Sequence, residues 1–140
     1  MAKKLLLTVC TGNTCRSPMA QVILQRIISR KGLAGQYRVE SGGLDAVEGL
    51  PASTYAQAAA AQIGLDLSSH RARAITRGQL LEAETIYVMT DAHAALIASV
   101  LPQLRDRIVV LGVSDPYGQD LDAYCRCRDQ LAERLEELTA

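Results

Sequence analysis

The sequence has no tryptophan and no phenylalanine, and its five tyrosines make up an aromatic share of only 4%. Aliphatic side chains must therefore fill the core. They suffice: with 49% apolar and 21% charged residues, a single domain spanning residues 1–140 can fold without a metal or a disulfide staple. Charge of one sign is also missing. Fifteen Lys and Arg face fifteen Asp and Glu, which argues against non-specific nucleic-acid binding. Long apolar runs are absent too. The one near the start is interrupted by Thr11, Gly12, Asn13 and Arg16, too soon for a signal peptide or a membrane span. A soluble, cytoplasmic protein is expected. There is no internal repeat, and no low-complexity tract beyond the alanines at 58–61.

Cysteine is sparse, and its placement excludes several chemistries. The four lie at positions 10, 15, 125 and 127. A neutral domain of this size needs no disulfides, and a reducing compartment would keep them open. The gap between Cys10 and Cys15 is not that of a thioredoxin-like pair. Cys125 and Cys127 fall in a predicted helix, where i and i+2 point apart. No histidine or further cysteine is near in sequence to complete a zinc set, so this pair is read as structural. No Lys-Ser or Lys-Thr pair ends the glycine segment 10–16, which excludes a nucleotide-binding P-loop.

Strand and helix patterns alternate along the chain. Leu5–Val9 reads as a buried strand. After a loop, Ser17 is a candidate N-cap, Pro18 suits a first helical turn, and Met19–Lys31 reads as a helix ended by Gly32 and Gly35. Further strands are expected at Tyr37–Ser41, Thr85–Met89 and Arg107–Leu111. Further helices are expected at Pro51–Ile63 with Gly64 as C-cap, at Thr76–Ala83, from Asp91 to Val100, and over Asp120–Leu138. This order predicts an α/β fold with helices on both faces of a mainly parallel sheet. The loops after the first and fourth strands, near Cys10 and Asp115, then share one sheet edge, where such folds bind ligands.

The segment C-T-G-N-T-C-R-S, from Cys10 to Ser17, joins that buried strand to a helix. Its backbone N–H groups can converge into an anion nest, and the helix end adds uncapped donors and a favourable dipole. Gly12 permits close approach of a ligand. Asn13 readily adopts a left-handed conformation and can tie the loop together. Arg16 can hold two phosphoryl oxygens at once. The same field favours the thiolate of Cys10, a nucleophile aimed at phosphorus, and Ser17 can donate to it. The leaving group then needs a proton. Asp115, held extended by Pro116, is the candidate, and Tyr117 would flank the pocket mouth. Cys15 is read as a packing residue, a thiol that protects Cys10 through a reversible disulfide, or both. His70 is read as a structural hydrogen-bonding histidine and His93 as a helix-surface residue. Arg71, Arg73 and Arg77 are read as a solvated surface, with an acidic protein partner as the alternative.

These motifs resemble the low-molecular-weight protein tyrosine phosphatases. VCTGNTCRSPMA at 9–20 is similar to the loop of that family, and SDPYG at 114–118 to its acid loop. VESGG at 39–43 and SSHRAR at 68–73 resemble two further stretches. The resemblance implies a Rossmann-like, four-stranded parallel sheet of the phosphotyrosine protein phosphatase I type, with no metal and no organic cofactor. It implies Cys10 as nucleophile, Arg16 as phosphate clamp and Asp115 as general acid/base. The phosphate-binding loop would comprise Thr11, Gly12, Asn13, Thr14, Cys15, Arg16 and Ser17. Ser41 would bond to Asn13, His70 would support that network, and Cys15 would be the partner in oxidative protection. Gln21 stands where the family usually has Glu, and little consequence for the chemistry is expected.

Thr14 bears on substrate. Many members carry an aliphatic residue there, whereas Thr resembles the bacterial branch that hydrolyses phosphoarginine in proteins. A β-branched hydroxyl narrows and polarises the pocket floor, where an apolar branch would favour an aromatic ring. Phosphoarginine proteins are the expected substrates and phosphotyrosine proteins the alternative. No nucleic-acid or membrane partner is expected, and the chain should be a monomer or weak dimer. Arsenate reductase, a remote alternative, needs a mid-chain cysteine relay, and residues 65–110 contain no cysteine. A non-enzymatic phosphate-binding module would not need both Cys10 and Asp115.

Overall fold

The computed structural model describes residues 2–139. In chain order the elements are β1 (Lys4–Cys10), α1 (Arg16–Arg30), β2 (Tyr37–Gly43), α2 (Thr54–Ala61), α3 (Arg77–Glu82), β3 (Thr85–Val88), α4 (Asp91–Val100), β4 (Ile108–Val110) and α5 (Leu121–Leu138). The strands form one parallel sheet in the order β2-β1-β3-β4.

β1 is buried on both faces, and its period of two divides the core. Leu5, Leu7 and Val9 join Leu80, Ile97, Leu101 and Leu104 on the side of α3 and α4. Leu6 and Cys10 join Met19, Ile23, Leu24, Leu131 and Leu135 on the side of α1 and α5. Each fully buried leucine contributes roughly 1.5–3 kcal/mol, so the strand carrying Cys10 is anchored from both sides. Thr8, the one polar residue inside β1, is fully buried and gives its hydroxyl hydrogen to the Ser17 carbonyl at 2.9 Å. That bond fastens the first turn of α1 to the strand.

Several element ends differ from the sequence reading, each for a local reason. Ser17 is not the N-cap of α1. The helix starts at Arg16, Cys15 occupies the cap position, and no side chain caps it. The Ser17 hydroxyl is committed to Cys10 and Asn13 instead. First-turn N–H groups are thereby left for an anion. α2 starts at Thr54 rather than Pro51, because Ser53 Oγ accepts from Ala56 N at 3.2 Å while Pro51 bridges to Arg71. Thr90 caps α4, and Asp91 lies in its first turn. Arg107 belongs not to a strand but to a 3-10 turn, Pro102–Arg107, opened by a proline that has no N–H to give.

Sheet growth reverses at β1, with β2 on one side and β3 and β4 on the other. This switch point is where open α/β sheets bind ligands. Past the end of β4, Leu111 N bonds Val88 O at 2.8 Å and Val113 N bonds Met89 O at 2.9 Å. Those bonds carry the chain on towards Asp115. On the other side, Leu44 N and Asp45 N donate to the carbonyls of Cys10 and Thr11, both at 2.9 Å. Gly43 makes this approach possible: a Cβ there would lie 2.5 Å from the Thr11 carbonyl oxygen and 2.9 Å from Ala46 Cβ.

Gly43→Ala is therefore expected to cost about 1–3 kcal/mol of stability and to weaken inorganic phosphate binding by displacing the loop. Gly35→Ala is the control, because no atom lies within 4 Å of its Cβ position. Thermal unfolding and phosphate titration of both variants test this, and equal behaviour of the two would contradict it.

Candidate active site

Cys10 ends β1 and is buried, with Ser17 Oγ 2.9 Å from its sulfur and the Asn13 backbone N–H donating to it at 3.3 Å. The direction of the Ser17 contact follows from Asn13. Backbone Arg73 N can only donate, and it reaches Asn13 Oδ1 at 3.0 Å, which fixes the amide orientation. Asn13 Nδ2 then donates to Ser17 Oγ at 2.8 Å and to Ser41 Oγ at 3.0 Å. With its oxygen accepting from Asn13, Ser17 turns its own hydrogen to Cys10. The sulfur thus receives two donors and suits a thiolate.

Asn13 itself has φ 56°, the only positive value among the described non-glycine residues. The conformation costs of order 1 kcal/mol for a residue with a Cβ and is held by bonds on every side. Besides the contacts above, the Asn13 carbonyl accepts from His70 Nε2 at 2.8 Å. Since a carbonyl cannot donate, the imidazole is protonated at Nε2. Ser41 and His70 therefore both bond to Asn13, one through its side chain and the other through its main chain. Gln21 was expected to be inconsequential, but it accepts the Ser41 hydroxyl at 2.8 Å and holds Val39 O at 3.2 Å. It is the outer anchor of the same network.

Arg16 has a side chain only 5% exposed, yet just part of its guanidinium is paired. Nη1 bonds Val113 O at 3.0 Å, Nη2 lies 3.6 Å from Asp115 Oδ2, and Nε is buried without a partner. A buried N–H left open beside uncapped helix donors fits an oxyanion. Asp115 is half-exposed, Oδ1 also accepts from Tyr117 N at 3.0 Å, and Cys15 Sγ lies 3.7 Å from it. Burial, with Cys10 and Asp115 adding to it, pushes the Cys15 thiol up and keeps it protonated. Tyr117 stands beside Asp115 but is 80% exposed, so it edges the site rather than walling it.

Two residues sit closer to the site than the sequence suggested. His93 is not on the helix surface. It is 7% exposed, its Nε2 lies 2.9 Å from Thr11 Oγ1, and its Nδ1 is buried without a partner. Its i, i+4 partner on α4 is the buried Ile97, a shared face that could have placed it. Cys127 is buried, and its thiol is pushed up to about 12 by burial, with Arg16 opposing and Asp115 and Cys10 adding. It packs in the same apolar cluster as Cys10 and Cys15. Cys125 faces away, towards Gln62 Oε1 at 3.3 Å, as their spacing required. No group of three His, Cys, Asp or Glu that could hold a metal occurs among the described residues.

Both histidines are held below their ordinary value of 6.5. For His93 the causes are burial and then Arg16, against Asp115; for His70 they are burial and then Arg73 and Arg71, against the Asn13 carbonyl. The unfolded chain takes up these protons first as pH falls, so stability drops from about pH 6.5 downward. His93→Asn and His70→Asn should each flatten the loss seen by urea denaturation between pH 7.5 and 5.5. An unchanged slope in both variants would refute the assignment.

A family model described as low molecular weight phosphotyrosine protein phosphatase matches residues 5–140. A protein-arginine-phosphatase of Bacillus subtilis (strain 168) is 34% identical over 139 residues, covering 93% of this chain and 91% of that protein. A probable low-molecular-weight protein-tyrosine-phosphatase, EpsP, of Ralstonia nicotianae is 38% identical over 127 residues, covering 86% and 83%. A crystal structure of a YwlE mutant from Bacillus subtilis superposes with a TM-score of 0.90 at 32% identity, covering 97% and 96%. With a cysteine and an arginine meeting at an open, donor-rich helix end, these matches identify the chain as a cysteine-dependent phosphatase belonging to the low-molecular-weight phosphotyrosine protein phosphatase family.

Proposed function

We propose that this phosphatase removes the phosphoryl group from phosphoarginine in proteins through a cysteinyl-phosphate on Cys10. The observation that carries the substrate reading is the position of Thr14. Its Oγ1 lies 3.7 Å from the Cβ position of Gly12, and the residue is part-exposed. The loop thus carries a hydroxyl to which a guanidino group can hydrogen-bond and from which an aromatic ring would gain nothing. The Bacillus subtilis relative named a protein-arginine-phosphatase supports the same reading.

In the first step the Cys10 thiolate attacks phosphorus and the P–N bond breaks. Arg16, through Nε and its outer N–H groups, and the first-turn backbone donors take the equatorial oxygens. Asp115, 3.6 Å from the Arg16 guanidinium, protonates the departing nitrogen. In the second step Asp115 takes a proton from water, whose oxygen attacks phosphorus and expels Cys10. The Ser17 hydroxyl, 2.9 Å from the sulfur, stabilises the returning thiolate. The products are arginine and inorganic phosphate. Cys15 would protect Cys10 as a disulfide only after turning away from Asp115.

Phosphotyrosine remains the second reading, favoured by the tyrosine phosphatase name of the Ralstonia relative. Side-by-side kinetics on a phosphoarginine protein and a phosphotyrosine peptide separate the two. Thr14→Ile should lower the arginine-to-tyrosine ratio of kcat/KM by about tenfold, roughly one hydrogen bond. An unchanged ratio would remove Thr14 as the determinant. Cys10→Ser should abolish turnover while retaining phosphate binding, because the donors of the loop survive; substantial activity in that variant would exclude the covalent route.

A further inference from the structure

A cavity of about 370 Å³ lies against the network that grips Asn13. Its lining includes Gln21, Ser41 and His70 but none of residues 10–17. Arg71 and Arg73 also line it, and neither guanidinium enters an ion pair among the described residues. Glu40 is the one carboxylate on the wall, and it is already occupied by Arg38 at 3.2 Å and by Gln79 Nε2 at 3.0 Å. Arg71 and Arg73 both act on the His70 imidazole and oppose its protonation. Two guanidinium groups and an imidazole therefore line one concave surface whose single carboxylate is already paired, and Arg71 is held there by a 2.7 Å bond from Nη1 to the His70 carbonyl. Ser69 adds a hydroxyl.

We propose that this cavity is a second anion site, separate from the Cys10 loop, that takes a tetrahedral phosphoryl group and is coupled to the loop through Asn13. The two guanidinium groups supply the charge and the fork geometry that phosphoryl oxygens require. His70 makes the coupling direct. Its Nε2–H is committed to the Asn13 carbonyl at 2.8 Å, which leaves Nδ1 as its remaining polar atom. An anion between the arginines favours a proton on Nδ1, and the resulting imidazolium donates more strongly to Asn13. By linkage, an anion in one site changes affinity at the other by an equal factor. The phosphoryl group has two possible sources: the inorganic phosphate that the reaction releases, or a second phosphorylated side chain of the substrate protein.

Calorimetric titration of inorganic phosphate into the full chain tests the site without reference to which phosphoamino acid is cleaved. The wild type should bind two phosphates. One site should survive in Arg16→Met, and also in wild type whose loop is sealed with a single equivalent of orthovanadate, which the Cys10 sulfur captures first; this covers the case of a misfolded Arg16 variant. That surviving site should weaken at least about tenfold in Arg71→Ala/Arg73→Ala, in keeping with loss of charge-assisted bonds. In the vanadate-sealed protein, phosphate should also raise the midpoint of the His70 NMR titration, and fail to do so in the double variant. A single site in wild type, or a second one indifferent to the arginine pair, overturns the proposal. Peptides with one and two phosphoryl groups distinguish the sources. A KM increase in the double variant confined to the doubly phosphorylated peptide identifies the substrate, and altered product inhibition with both peptides identifies released phosphate.

Discussion

The catalytic loop depends on the bonding of one residue, Asn13. It stands in a left-handed conformation at φ 56°, and that turn lets successive backbone N–H groups point at one centre. Glycine could take the conformation at less cost but could not hold it. The Asn13 side chain spends both amide hydrogens on Ser17 and Ser41 and its oxygen on Arg73 N, while its main chain engages Cys10 and His70. Every polar atom of a fully buried residue is thus satisfied, which a low-dielectric site demands. The same bonds orient Ser17 and so aim its hydrogen at the nucleophile. Loop shape and sulfur electrostatics are one constraint.

That constraint is transmitted outward by chain topology. Gln21 comes from the second turn of α1, Ser41 from β2, and His70 and Arg73 from the stretch between α2 and α3. The loop is therefore held from α1, from β2 and from the stretch before α3 at once. On the other flank the grip is lighter. Thr11 meets His93 at 2.9 Å, and Arg16 meets the Val113 carbonyl. Asp115, half in solvent, has a 3.6 Å approach to Arg16, a long contact from Cys15 and a bond within its own turn from Tyr117 N at 3.0 Å. A residue that must exchange protons with a leaving group and then with water is better placed at such a loosely held edge than in the core.

What could be read from the sequence was what local patterning encodes. The apolar run of β1, the alternation of strands and helices, and the Cys10–Arg16 segment each carry their physics in consecutive residues. The order β2-β1-β3-β4 was not legible in the chain, because it depends on pairing between segments far apart in sequence. Ser17 looked like an N-cap because its type and place were right, but tertiary partners claimed its hydroxyl and left the helix end open. His93 looked exposed because it sits among alanines. Only its register with Ile97 showed the buried face, and nothing local showed Thr11 across the gap between β1 and β3. Gln21 was expected to matter little for the chemistry, although its amide oxygen accepts the Ser41 hydroxyl.

His93 also explains how a buried guanidinium is tolerated here. Arg16 is nearly sequestered, and its carboxylate neighbour is at 3.6 Å and half in water, too weak a partner to offset full desolvation. A second buried cation beside it would make matters worse. Burial and Arg16 together keep the His93 imidazole neutral, so it packs against the loop as a dipole and not as a charge. The positive field is then concentrated in Arg16 and the uncapped end of α1, in the segment that follows Cys10. Arg16 keeps one buried N–H unpaired, and Cys15 remains a neutral thiol next to Asp115. Arg16 Nε and the uncapped N–H groups of α1 suit a phosphoryl oxygen, so the binding of substrate completes hydrogen bonding that the fold leaves open.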